Sequence, residues 1–380
     1  MRIVFAEEDT LFSLMQVALV RALTPAGEKA LSYFFGQDFS SPLRVLTEMA
    51  DRLGLPKTLD AVICANDEAI AEALPSADVL VTEREPITRS RIESASRVQL
   101  IQKFGRDCGN IDLVAAREVG VKVANLVRLT SLSSADHVMA LILALARNLF
   151  SAHRSVVARR DPSLALPVGR TLSGPAESLP LQFATDPPRT KFNWSSIRDV
   201  RVLAEHTLGL IGLGENSGEV ARRARAFGMA VVYYKRHRLS AREEAELGGV
   251  RYVTFDELLG QSDFVSVHVP YSPDTEKMIG RDALSRMKRG AYLINTSRGG
   301  IVDEVALYDA LTSNHIAAAA LDVYRYEPVP PDCPLLELDR MIWTPHMAGG
   351  EPEFLLREVE DVLANIARVS RGEDPLGLVS

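Results

Sequence analysis

The run Thr207-Leu-Gly-Leu-Ile-Gly212-Leu-Gly214-Glu-Asn-Ser217 decides how this chain is to be read. Residues 207–211 suit a buried strand, two closely spaced glycines follow, residues 218–227 read as a helix, and a second apolar run occupies Ala230–Tyr234. Strand, glycine turn, helix and strand in that order form the context that a dinucleotide fingerprint requires. Gly212 permits the tight turn. Gly214 lets the backbone approach a pyrophosphate, which then rests on the helix N-terminus, where unpaired N–H groups and the helix dipole favour an anion. Glu215 and Asn216 open that helix and join the expected cofactor-binding set. The third fingerprint position, ordinarily Gly or Ala, is Ser217, which is small enough for close helix–strand packing.

At the end of the second strand a fingerprint of this kind usually places Asp or Glu for the ribose 2′-hydroxyl. Here Lys235-Arg236-His237-Arg238 stands instead. A carboxylate would repel a 2′-phosphate, whereas a guanidinium grips one with paired hydrogen bonds. The expected cofactor is therefore NADP, with NAD possible, and the 2′-phosphate is expected on Arg236 with Lys235 or Arg238 assisting. The other reading of these residues is a solvated basic turn.

Outward from this motif, short apolar strand candidates alternate with amphipathic helix candidates along the chain, which predicts an α/β fold with parallel sheets and crossover helices. In the first part, strands are expected near Ile3–Ala6, Ala61–Cys64, Val79–Thr82, Leu100–Lys103 and Val121–Ala124. A helix is expected near Ser134–Phe150, capped by Ser133 or Ser134. Residues 151–193 hold six prolines and no convincing periodicity, a long irregular segment for a compact domain.

The chain has 380 residues, enough for two domains. Its net charge of −7 argues against non-specific nucleic-acid binding. The longest greasy stretch, Val138–Ala146, is bounded by His137 and Arg147 and is too short to span a bilayer, so no membrane partner is expected. The start reads as a first strand and lacks the apolar core of a signal peptide. Three widely spaced cysteines imply neither a disulfide framework nor a zinc site, and the expected compartment is the reducing cytoplasm.

Three charged or titratable residues follow apolar runs near the end of the chain. Arg298 lies in Leu-Ile-Asn-Thr-Ser-Arg-Gly-Gly (293–300), Glu327 follows Ala-Ala-Leu-Asp-Val-Tyr (319–324), and His346 sits in Trp-Thr-Pro-His-Met-Ala-Gly-Gly (343–350). Each belongs at the carboxyl end of a strand, where open α/β sheets place their ligands. Together they suit hydride transfer at a carbonyl: Arg298 fixes and polarises a 2-keto acid, His346 gives or takes the hydroxyl proton, and Glu327 tunes His346.

With these segments assembled, the chain resembles the D-isomer-specific 2-hydroxyacid dehydrogenases, a family that includes glyoxylate/hydroxypyruvate reductases and phosphoglycerate dehydrogenases. The resemblance runs from about Arg97 to Asn365 and adds Asn110-Ile-Asp112-Leu, Ala115-Ala116, Ser134-Ala-Asp-His137 and Val267-His268-Val-Pro270 to the motifs above. It implies two Rossmann- or flavodoxin-like lobes. Residues 1–127 and 345–380 would form a discontinuous substrate (catalytic) domain, and 128–344 an inserted NAD(P)-binding Rossmann domain carrying the Pro-rich insertion at about 151–193. Asp322 would bind the carboxamide end of the cofactor, Thr275 would touch the pyrophosphate, and His268, Pro270, Thr296 and Ser297 would line the cofactor site. His137 reads as a helix-packing residue, and His268 has a purely structural reading beside the cofactor-lining one. The family's usual dimer, built on the first crossover helix, is expected here as a homodimer.

Two departures stand out. The family's substrate-carboxylate loop is a small residue followed by Gly, but this chain has Gly105-Arg106-Asp107. Either the loop is re-registered around Gly105 and Gly109, or Arg106 adds a charge to the pocket; a third reading pairs Arg106 with Asp107 at the surface. The second departure is the 151–193 segment, readable as a dimer arm, a cleft cover or plain disorder. The leading function is an oxidoreductase exchanging a hydride between NAD(P)H and a 2-keto acid/D-2-hydroxy acid pair. Alternatives on the same fold are a nucleotide-sensing corepressor and a formate dehydrogenase-like enzyme, the latter disfavoured because Glu327 stands where those enzymes typically have Gln.

Overall fold

The computed structural model describes residues 1–157, 200–350 and 352–379, which divide into two compact units: Met1–Ser133 with Gly349–Ser380, and Ser134–Ala348. Each is a parallel sheet flanked by helices. In the first unit the strands are β1 (Arg2–Phe5), β2 (Asp60–Ile63), β3 (Val79–Thr82), β4 (Leu100–Lys103) and β5 (Lys122–Ala124), in the order β2-β1-β3-β4-β5. The expected strands all form, within a residue at either end. Three helices absent from the sequence reading, Thr10–Val20, Pro25–Phe35 and Ser40–Arg52, separate β1 from β2. Thr10–Val20 is apolar almost all round, with Phe12, Leu14, Met15 and Val17 fully buried, so it carries no clean amphipathic signal.

The second unit contains β6 (Thr207–Ile211), β7 (Ala230–Tyr234), β8 (Arg251–Tyr252), β9 (Phe264–Val267), β10 (Tyr292–Asn295), β11 (Ala318–Leu321) and β12 (Met341–Trp343), in the order β12-β11-β10-β9-β6-β7-β8. Every pairing is parallel. Both faces of the sheet are covered, and β9, β10 and β11 are buried along their whole length, which is why they read as unbroken apolar runs.

The helix expected from Ser134 begins earlier, spanning Leu129–Ala146. Its first turn is capped from afar: the fully buried Glu358 carboxylate accepts from Thr130 N at 2.8 Å and Thr130 Oγ1 at 2.9 Å. A cap supplied across more than two hundred residues leaves no local trace in sequence. This helix is long and apolar enough to cross a membrane by length and composition. In this fold, however, Val138, Met139, Leu141, Ile142 and Leu145 are buried in a protein core. It ends before Asn148, whose φ is 49°, and a second helix runs Leu149–Val157. The remainder of the Pro-rich segment, 158–193, lies outside the described residues.

Candidate active site

Beyond β6 the chain turns at Gly212, whose φ is 93°. A Cβ there would lie 2.9 Å from the carbonyl carbon and oxygen of His268, so only glycine fits both the backbone angle and the contact. The helix starts at Glu215, earlier than expected, with Gly214 as its N-cap. Ser217 explains the earlier start. Its buried hydroxyl accepts from Gly214 N at 2.8 Å, so Ser217 ties down the turn as well as packing closely. Gly214 itself faces open space, and Glu215 and Asn216 supply the first N–H groups of the helix. A fixed turn, an open glycine and free helix N–H groups fit a dinucleotide pyrophosphate.

The basic run after β7 divides into two parts. Arg238 is committed: its Nε and Nη2 donate to Glu244 at 2.9 and 3.0 Å, and that carboxylate also accepts from Tyr233 Oη at 2.9 Å. Arg238 and Tyr233 together hold Glu244 below the ordinary carboxylate range despite its burial. Arg238 is therefore a strut for this loop, which corrects the expectation that it assists at a 2′-phosphate. Arg236 is exposed and has no hydrogen bond or ion pair among the described residues, and Lys235 beside it is half-buried.

His268 follows β9. Its N–H donates to Ile211 O at 2.8 Å, and its Nε2 lies 2.9 Å from Ser266 Oγ. Desolvation pushes the imidazole down to about 4, so the ring is neutral near physiological pH. In the following loop Thr275 Oγ1 donates to Pro270 O at 2.8 Å and accepts from Ser272 N at 2.8 Å. The Thr275 hydroxyl thus folds the Pro270–Thr275 turn. After β10, Asn295 organises the next turn by accepting from Ser297 N and donating to Arg298 O, both at 3.0 Å. Ser297 Oγ donates to Val269 O, and Thr296 is half-buried between them in sequence.

Arg298, Glu327 and His346 follow β10, β11 and β12, which are consecutive neighbours in one parallel sheet. The sheet order alone therefore sets the three side chains at adjacent strand ends. Arg298 is exposed, and its Nη1 donates to Ser297 O at 2.7 Å. The next residue, Gly299, is clamped: a Cβ there would sit 1.8 Å from the Tyr324 carbonyl carbon, so any side chain would force the Arg298 turn away from the strand beyond it. His346 Nδ1 and Glu327 Oε2 are 2.8 Å apart, and the other Glu327 oxygen accepts from Tyr324 N at 3.1 Å. With Nδ1 committed to a carboxylate, Nε2 is the nitrogen left for proton transfer.

Asp322, which the resemblance sets at the carboxamide end of the cofactor, is tied into a network within the chain. It is fully buried. Its Oδ1 accepts from Thr344 Oγ1 at 2.6 Å and Met347 N at 2.9 Å, and Oδ2 accepts from Ala348 N at 2.9 Å. Burial would raise this carboxyl, but hydrogen bonds from His137, Thr344, Met347 N and Ala348 N outweigh it and hold the group down to about 2. Most of its acceptor capacity is spent within the chain, holding the loop that carries His346. Tyr324, Thr344 and Asn295 were not singled out from sequence, although all three lie inside the quoted segments. Tyr324 Oη donates to Thr344 O at 2.5 Å and accepts from Thr344 N at 3.1 Å, with desolvation pushing the phenol up to about 12.

In the first unit, Gly105 has φ 119°, Arg106 O accepts from Asn125 Nδ2 at 2.8 Å, and Asp107 Oδ1 accepts from Gly109 N at 2.9 Å. The loop turns at Gly105 and closes on Gly109 through an Asp side chain, while Arg106 and Asp107 stay exposed. Lys103, overlooked in the sequence, ends β4 with only 7% exposure; it donates to Glu83 O, and burial pushes its amine below the usual lysine range.

Residues 185–348 match the family model described as "D-isomer specific 2-hydroxyacid dehydrogenase, NAD binding domain". Over 316 residues the chain is 36% identical to a glyoxylate reductase of Korarchaeum cryptofilum, covering 82% of this chain and 86% of that protein. It is 35% identical over 308 residues to a D-3-phosphoglycerate dehydrogenase of Archaeoglobus fulgidus, covering 81% of this chain but only 52% of that longer relative. The crystal structure of a glyoxylate reductase from Paecilomyes thermophila superposes with a TM-score of 0.53 at 25% identity, covering 100% of this chain and 98% of that one. The chain belongs to the D-isomer specific 2-hydroxyacid dehydrogenase family, and its second unit is a nicotinamide-nucleotide-binding domain.

Proposed function

We propose that this chain is an enzyme that reduces a small 2-keto acid to its D-2-hydroxy acid, or runs the reverse reaction, with NADPH preferred over NADH. The observation that carries the reading is the 2.8 Å contact between His346 Nδ1 and Glu327 Oε2, with Arg298 at the adjacent strand end. The Gly212–Gly214 turn and the helix N-terminus beyond it would hold a nicotinamide dinucleotide, whose chemistry would be to exchange a hydride with the carbonyl carbon. Arg298 draws the keto acid in by its carboxylate and polarises the carbonyl. His346, as imidazolium, donates its Nε2 proton to the carbonyl oxygen as negative charge develops there, and Glu327 stabilises that imidazolium. In the oxidative direction the neutral ring accepts the hydroxyl proton. His268, held neutral, adds no competing positive charge.

The cofactor preference rests on Arg236, exposed and without a partner among the described residues at the end of β7, with Lys235 beside it. A charge-assisted contact to a 2′-phosphate, less the cost of ordering the side chain, gives NADPH an advantage of about ten- to a thousand-fold in kcat/KM. The glyoxylate reductase relatives support a small keto acid as substrate. Free Cys64, Cys108 and Cys333 support a reducing compartment, and the family resemblance supports a homodimer as the working unit. The test is a panel of glyoxylate, hydroxypyruvate, pyruvate and bulkier 2-keto acids, each assayed with NADPH and NADH at low and high salt. The reading requires turnover of at least one small keto acid and an NADPH preference that shrinks in high salt. Equal use of both cofactors at low salt would reduce the basic run to a solvated turn.

A further inference from the structure

On the apolar helix Leu129–Ala146, between the buried residues Ala135 and Val138, one polar ring turns inward: His137, whose side chain is 15% exposed. A lone histidine in a helix core is usually a packing residue. This one instead reaches the segment that carries His346. Its Nε2 lies 3.1 Å from Thr344 Oγ1 and 3.5 Å from Asp322 Oδ1.

Counting donors fixes the direction of the network. An ionised carboxylate only accepts, and a threonine hydroxyl has one proton to give. That proton goes to Asp322 Oδ1, at 2.6 Å. Thr344 then has only lone pairs to offer His137, so Nε2 of His137 must carry hydrogen and donate. His137 thus donates toward Thr344, with Asp322 Oδ1 also facing the same N–H, and Thr344 donates on to Asp322.

Asp322 passes this constraint on. Its side chain accepts from the N–H groups of Met347 and Ala348, and its carbonyl oxygen accepts from His346 N at 2.9 Å. Three consecutive residues, 346–348, therefore hang on one buried aspartate. They need holding, because His346 has φ 52°, a left-handed conformation that a residue with a Cβ rarely adopts unless its surroundings impose it.

We propose that His137 is a positioning residue for His346. Its Nε2–H fixes the Thr344 hydroxyl, which aligns Asp322 to hold the 346–348 turn with the His346 ring against Glu327. This inference rests on the reading of His346 as the proton-transfer group. The demand is for a hydrogen-bond donor at that point, not merely for a ring that fills space.

The test compares wild type, His137→Ala and His137→Gln in two readouts: steady-state reduction of a 2-keto acid with NADPH, and hydrogen–deuterium exchange of the 344–348 backbone. Displacing an acid/base group by about an ångström costs up to ~10²-fold in rate. His137→Ala is therefore expected to lose ~10- to 100-fold in kcat, with KM for the keto acid changed by less than about threefold. His137→Gln, whose amide nitrogen reaches the position of Nε2, is expected to return within about threefold of wild type. Exchange at 346–348 should speed up at least ~10-fold in the alanine variant, stay near wild type in the glutamine variant, and remain unchanged elsewhere in the second unit. A wild-type kcat with wild-type exchange in His137→Ala would overturn the proposal. So would a glutamine variant as impaired as the alanine one, or faster exchange spread across the whole unit. If the wild-type protein reduces no 2-keto acid, the functional reading fails, and the exchange arm alone still decides whether His137 holds the turn.

Discussion

Asp322→Asn is the substitution whose consequences the structure specifies most fully. The carboxylate accepts from Thr344 Oγ1, Met347 N and Ala348 N, so an amide cannot satisfy every partner. If its oxygen keeps Thr344 and Met347, its –NH₂ faces the Ala348 N–H, and two buried donors are left without an acceptor. Each unsatisfied buried group costs about 1–3 kcal/mol, so the loss at neutral pH is on the order of 3 kcal/mol. The pH dependence gives a second, independent number. In the folded protein Asp322 is held down to about 2 from its ordinary 3.8. A depressed carboxyl stabilises the fold above the unfolded pKa, and that contribution is lost as pH falls through the folded one. It is worth roughly 2 kcal/mol at pH 7, at about 1.4 kcal/mol per unit, and about half of it is gone by pH 3. Urea unfolding of wild type and Asp322→Asn at pH 7 and pH 3 should therefore show a stability gap that narrows by about 1 kcal/mol in acid. Turnover should fall with the gap, because the same bonds hold His346. A variant as stable as wild type at pH 7, or a gap that does not narrow, would show that this carboxylate is not the anchor of the 346–348 turn.

Further outcomes follow from the same geometry. Arg298→Lys should lose both affinity and turnover for the keto acid in steady-state assays, since an ammonium cannot reproduce a two-point grip on carboxylate and carbonyl. Glu327→Gln removes the charge 2.8 Å from His346 Nδ1, so kcat for keto-acid reduction should fall with KM for the keto acid little changed; a wild-type kcat would speak against a working ion pair. Arg236→Ala should erase most of the NADPH preference by weakening NADPH while sparing NADH, whereas Arg238→Ala should act mainly on stability, because its guanidinium is spent on Glu244.

What the sequence showed and what it hid divide along physical lines. Strands β9, β10 and β11 are covered on both faces, so each announces itself as an apolar run, and the residues that follow them could be placed at strand ends without coordinates. Gly212 was legible because a left-handed turn against a neighbouring strand leaves few other choices. The early start of Leu129–Ala146 was not, since its cap is a glutamate far along the chain. His137 looked like packing because its partners, Thr344 and Asp322, are distant in sequence and meet it only in the folded sheet. Arg238 looked like a phosphate ligand until Glu244, six residues on, claimed it.

In the proposed reaction His346 delivers a proton to a 2-keto acid while NADPH is consumed, yielding the D-hydroxy acid. The most direct measurement is to incubate a prochiral 2-keto acid with NADPH and either wild type or His346→Ala, follow NADPH oxidation, and assign the product by chiral chromatography. Wild type is expected to give the D-enantiomer, and the variant to turn over about 10²–10⁴-fold more slowly with NADPH binding nearly intact. An L-product, or a variant as fast as wild type, would contradict it.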